Sequence, residues 1–142
     1  MKKNAYLFIF VVIAVLPAAL GAWTQETGET NSRHVIEVVA KTFEFTPSEI
    51  HVKVRERVQI KLRTADRAHG LKLNIYPEGA PETGDPGLIF DHPQDDAKVE
   101  KNKDRVIEFV AARAGTYDFN CSVRCSMGHG HDRMIGKLIV EE

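Results

Sequence analysis

The chain is 142 residues long, carries a formal net charge of −1, and holds two cysteines, six histidines and three methionines. That length accommodates one domain and little else. Acidic and basic residues are nearly balanced and no basic stripe occurs, which excludes a nucleic-acid-binding surface.

Lys2 and Lys3 precede an uninterrupted apolar run from Ala5 to Leu16, followed by Pro17 and the small residues Ala18, Ala19, Gly21 and Ala22. A charged start, an apolar core and a small-residue exit describe a signal peptide over residues 1–22. Ala5 to Trp23 also reaches the minimum length of a membrane span, so an uncleaved anchor is the alternative reading. In that case residues 5–23 are the only membrane contact expected. Pro17 and the small residues favour cleavage, and no cysteine near the exit supports a lipid anchor. Either way the remainder is expected outside the cytoplasm, in the periplasm or an equivalent space. Without Lys2 and Lys3 the exported part has 17 basic against 20 acidic side chains. Residues 23–33, with the polar stretch TQETGETNS, read as a flexible tether.

From residue 34 to 142 the pattern is one of short strands. Val35–Val39, Phe43–Phe45, Ile50–Val54, Val58–Leu62, Leu71–Ile75, Val106–Phe109, Tyr117–Phe119 and Ile135–Val140 alternate or are β-branched, with turn residues between them. No stretch sustains a helical period. Seven or eight such strands in about a hundred residues predict an all-β, antiparallel two-sheet sandwich. Pro77–Asp104 breaks the rhythm. It is rich in Pro, Gly, Asp, Glu and Lys, with an apolar island at Leu88–Phe90, and reads as a long excursion. A short turn of helix is expected at Ala97–Lys101, and no functional role is assigned to the excursion.

The chemistry concentrates in Cys121-Ser-Val-Arg-Cys125-Ser-Met127-Gly-His129-Gly-His131-Asp-Arg-Met134. Thiolates, imidazoles and a thioether form a soft donor set suited to copper, whereas zinc has little use for methionine. A Cys121–Cys125 disulfide is the plain alternative for an exported protein. It accounts for neither the histidines nor Met134. One loop rarely encloses a metal, so a remote ligand is expected. His69, between the strands at 58–63 and 71–75, is the candidate. His34 and His51 are expected on the outer face, and His92 in the charged excursion.

These residues resemble the cupredoxin family, most closely the CuA domain of cytochrome c oxidase subunit II and nitrous oxide reductase. The resemblance covers roughly residues 34–141. It runs through Phe43-Glu-Phe45-Thr-Pro47, Asp66-Arg-Ala-His69-Gly70 and Gly115-Thr-Tyr117, into the specific core Cys121-x3-Cys125-x3-His129. It implies a cupredoxin-like Greek-key sandwich. It also implies two coppers bridged by Cys121 and Cys125 and capped by His69 and His129, with Met134 and the Val123 carbonyl as weak ligands. The implied function is single-electron transfer, with redox partners such as a cytochrome c or a membrane oxidase and no enzymatic activity of the domain alone.

The loop departs from the family spacing by two residues. His129 keeps the spacing from Cys125, while His131 keeps the spacing to Met134 and is the substitute ligand. A mononuclear blue-copper site built from His69, Cys125, His129 and Met134 is a second reading. Cu(I) delivery or storage, using Met127 and His131 as well, is a third. A subunit II-like part of a terminal oxidase is a fourth. Against that last reading, Val123 stands where such subunits commonly carry a glutamate, and at most one membrane-spanning stretch is legible.

Overall fold

A computed structural model describes residues 33–94, 98–123 and 134–142. The expected signal peptide, nearly all of the tether, and Cys125, Met127, His129 and His131 lie outside the described residues.

Nine strands form, and no helix occurs among the described residues. They are β1 (His34–Lys41), β2 (Glu44–Thr46), β3 (Glu49–Lys53), β4 (Arg57–Thr64), β5 (Lys72–Leu73), β6 (Leu88–Phe90), β7 (Asp104–Ala111), β8 (Gly115–Asn120) and β9 (Ile135–Glu141). One sheet has the order β2-β1-β4-β7-β6 and the other β3-β9-β8-β5. Alternation decides the inward faces. Val58, Ile60, Leu62 and Thr64 of β4 are buried while Lys61 and Arg63 face solvent, and Ile50 and Val52 of β3 lie opposite the exposed His51. Phe45 meets Phe119 edge-to-face between the sheets, with ring centroids 5.2 Å apart. The Tyr117 hydroxyl donates to the Arg113 carbonyl at 2.7 Å, tying the start of β8 to the turn before it.

The sandwich is mixed, where alternation alone had suggested an antiparallel one. β1 pairs with β4 in parallel and β3 with β9 in parallel, the other pairs being antiparallel. The chain leaves the first sheet after β2, crosses as β3, and returns as β4, so β1 and β4 run the same way. A period of two fixes which face is apolar and says nothing about strand direction.

The excursion is held to the sandwich at several places, three of them on the way to the candidate site. Leu88 is buried in β6, which pairs with β7. The Gln94 amide mimics a strand neighbour, accepting from Leu73 N–H at 2.8 Å and donating to Leu73 O at 2.9 Å. Val99 pairs with His69 in β fashion. The turn of helix expected at Ala97–Lys101 is therefore replaced, over its described residues, by an extended bridge and then a turn, with Asn102 at φ 58°. Val99 is β-branched and buried, and its pairing partner lies thirty residues away, beyond the reach of a local pattern. The strand expected at Leu71–Ile75 shrinks to Lys72–Leu73.

Candidate metal centre

His69 sits where β4 has ended and the chain turns towards β5. It is completely buried. Its backbone N–H donates to Val99 O at 3.1 Å, and Val99 N–H returns a bond to His69 O at 2.8 Å. The ring is fixed as firmly. Nε2 lies 2.8 Å from Asp66 Oδ1. An ionised carboxylate only accepts, so Nε2 carries the proton and Nδ1 presents a lone pair.

Asp66 is itself saturated. Oδ1 also accepts from Arg67 N–H at 2.8 Å, and Oδ2 accepts from Thr42 N–H at 2.8 Å and from the Thr42 hydroxyl. Burial works against its charge, but hydrogen bonds from the Thr42 hydroxyl, His69, and the Thr42 and Arg67 N–H groups hold the carboxyl well below the usual carboxylate range.

Cys121 follows β8 directly, and its N–H donates to Met134 O at 3.3 Å, the carbonyl of the residue just before β9. Its sulfur lies 3.8 Å from His69 Nδ1 and 3.9 Å from the Val123 carbonyl oxygen. Metal–imidazole and metal–thiolate bonds of about 2.0 and 2.3 Å meeting at about 110–120° separate nitrogen from sulfur by about 3.5–3.7 Å, close to this spacing. The His69–Cys121 pair therefore has the spacing of two donors on one ion, and soft sulfur beside imidazole is the chemistry copper prefers. Met134 is fully buried in the core against which Cys121 packs.

Two further contacts shape this end of the sandwich. A Cβ on Gly70 would fall 2.0 Å from Ser122 Oγ and 3.3 Å from Ser122 Cβ, so the His69 loop and the segment after Cys121 lie in close contact at this glycine. Among the described residues, Ser122 Oγ is buried and finds no hydrogen-bond partner.

Of the residues singled out in the sequence, His69, Cys121 and Val123 come together here, and Met134 adjoins Cys121 through its backbone carbonyl. Cys125, His129 and the substitute His131 lie outside the described residues. Among the described residues no group of three or more His, Cys, Asp or Glu forms a closed site. His34, His51 and His92 are all exposed. Sequence reasoning missed Asp66, Thr42 and Val99. Asp66 had a legible signal, a carboxylate three residues before a candidate ligand, whereas Thr42 and Val99 reach His69 only through the fold.

A family model of a cupredoxin-like domain matches residues 10–140. The chain belongs to the cupredoxin-like domain family. Solved structures agree on the fold. Auracyanin A, a "blue" copper protein from the green thermophilic photosynthetic bacterium Chloroflexus aurantiacus, superimposes with a TM-score of 0.57 at 20% identity, over 78% of this chain and 100% of that one. Dithionite-reduced auracyanin from the photosynthetic bacterium Roseiflexus castenholzii gives 0.55 at 17% identity, over 76% and 97%. A chain of a heme-copper terminal oxidase dimer gives 0.52 at 22% identity, over 80% and 68%. Comparison by sequence with curated proteins returns no match. At these identities the likeness establishes the cupredoxin architecture, and the ligands must be argued from this chain's own residues.

Proposed function

We propose that this cupredoxin is an exported single-electron carrier, with copper held by His69, Cys121, Cys125, the Val123 carbonyl, His129 and Met134 in a CuA-like binuclear site. The observation that carries the reading is the His69 Nδ1–Cys121 Sγ separation of 3.8 Å, with the opposite ring nitrogen tied to Asp66. Copper bound between such donors supplies a one-electron couple. The rest is done by the protein. His69 is buried, and its Nε2 bond to Asp66 leaves Nδ1 turned towards Cys121. Cys121 is carried on the end of β8, which pairs along its length with β9. Neither donor can relax far when the charge at the site changes, and small relaxation means a low barrier to electron exchange. Rigidity of this kind suits a carrier better than a protein that hands copper on. Redox partners of the cytochrome c or membrane-oxidase kind fit this role.

A mononuclear site is the second reading, favoured by the fit to the blue-copper auracyanins. That site would use His69, Cys125, His129 and Met134, and Cys121, whose sulfur lies 3.8 Å from His69 Nδ1, is the other thiolate it could take.

The test is to load the domain from about Gln25 with copper under reducing conditions, oxidise it partly, and record copper per chain with optical and electron paramagnetic resonance spectra. Two coppers with hyperfine structure from both nuclei support the binuclear carrier. One copper with an intense blue band selects the mononuclear carrier. A colourless Cu(I) protein that yields its metal readily to a chelator points to delivery. No copper, with Cys121 and Cys125 joined in a disulfide, overturns the proposal. A folded, copper-binding domain should also melt higher with copper than without it.

A further inference from the structure

The turn joining β1 to β2 contributes no candidate ligand, yet it reaches the metal centre. Thr42 gives Asp66 Oδ2 two donors, its N–H at 2.8 Å and its hydroxyl. Asp66 Oδ1, in turn, receives His69 Nε2–H at 2.8 Å. The next residue, Phe43, stands at φ 65° with more than half of its surface exposed. A bulky residue in the left-handed region is strained, and an exposed one recovers little of that cost by burial. The strain goes with a backbone turn that aims both Thr42 donors at one carboxylate oxygen.

A plainer role for the contact would be to tie the turn to the loop after β4. That tie already exists, because Ala65 N–H donates to Ala40 O at 3.0 Å. The Thr42 bonds converge instead on the group that orients the ring. We propose that Thr42 is a positioning residue for His69, acting through Asp66 to hold the imidazole in the Nε2–H tautomer before any metal arrives. The proposal rests on the reading of His69 as a copper ligand.

The chemistry follows from the count of donors. The Asp66 side chain is about one-third exposed (37%), so water competes for its oxygens. With four protein donors it has no reason to turn outward. Without the Thr42 hydroxyl, Oδ2 keeps a single protein donor and the carboxylate can rotate towards solvent. The buried His69 ring then loses its fixed acceptor. Its proton becomes free to sit on Nδ1, the nitrogen facing Cys121 at 3.8 Å. A proton there occupies the lone pair that copper needs.

The experiment compares the wild-type chain with Thr42→Ser and Thr42→Val, and with Thr42→Ala should the valine variant fail to fold. Ring nitrogen shifts of His69 and exchange of its Nε2 proton are read by NMR in the metal-free protein. Cu(I) affinity is read by competition with a chelator. Wild type and Thr42→Ser are expected to show one tautomer with a slowly exchanging proton. Thr42→Val is expected to show a mixture of tautomers, faster exchange, and copper binding about tenfold weaker, as for other residues that support a ligand. A Thr42→Val protein with the wild-type ring pattern overturns the proposal, and so does an altered pattern without loss of affinity. A wild-type chain with the single ring pattern that takes up no copper overturns the ligand reading of His69, and with it the purpose assigned to Thr42.

Discussion

Gly136 is the position at which a single methyl group should cost most. It lies opposite Phe119 where β8 pairs with β9. A Cβ built there falls 2.2 and 2.3 Å from two atoms of the Phe119 ring and 2.8 Å from the backbone oxygen of Ser48. Neither neighbour can yield. Phe119 is fully buried against Phe45, and Ser48 O already accepts Lys137 N–H at 2.8 Å. Overpacking a core typically costs 1–3 kcal/mol, and disturbing an edge-to-face aromatic pair adds roughly 0.5–1.5 kcal/mol. Gly136→Ala should therefore destabilise the domain by about 3 kcal/mol. For a domain of about this size that lowers the melting temperature by roughly 12–20 °C. Urea unfolding of the metal-free domain should show a reduced midpoint with an unchanged slope. Pairing the change with Phe119→Leu should recover part of the loss, giving a coupling of about 1 kcal/mol or more. A Gly136→Ala domain within about 0.5 kcal/mol of wild type, or strictly additive behaviour of the pair, would refute the reasoning.

Three other expectations can be checked with the same preparations. Tyr117→Phe removes the hydroxyl that donates to Arg113 O at 2.7 Å and should cost about 1 kcal/mol in urea unfolding. Val99→Pro deletes the N–H that donates to His69 O at 2.8 Å, and should both destabilise the domain by about 1–3 kcal/mol and speed exchange of the His69 amide. His51 lies between Glu49 and Glu141, each 2.9 Å from one ring nitrogen, and these bonds, Glu49's first, raise its pKa above 6.5. A raised histidine contributes stability that is fully present below the unfolded pKa and lost as pH rises through the folded one. The melting temperature should fall slightly as pH goes from 6 to 8, and His51→Asn should flatten that slope.

How much of this was legible in the sequence depends on whether the cause was local. The alternating runs at β3, β4, β7, β8 and β9 announced themselves because each buries every second residue against the opposite sheet. His69 was legible as a candidate because it stands where one strand ends and another begins, at the end of a sandwich where the late cysteine loop would lie. The excursion was not. Its composition is that of a solvated loop, but Gln94 and Val99 pair with Leu73 and His69 across the fold. The same pairing explains why Leu71–Ile75 did not become a full strand: β5 is an edge, and a side-chain amide takes the place of a neighbouring strand. Asp66 could have been found from its spacing to His69. Thr42, 24 residues from the carboxylate it serves, could not.

The placement of β9 has a consequence for the order of events as the protein is made. β3 is synthesised early, yet among the described residues its one strand partner is β9, from Glu49 opposite Lys137 to Lys53 opposite Glu141. The second sheet cannot knit until residues 135–141 are available, and that pairing closes most of the chain into one loop. Long-range closure of this kind slows folding. The segment from Cys121 to Met134 is strung between β8 and β9, so its two ends are fixed against each other only by that late step. The 3.8 Å approach of Cys121 to His69 therefore belongs to a sandwich that closes late, when the last strand takes its place.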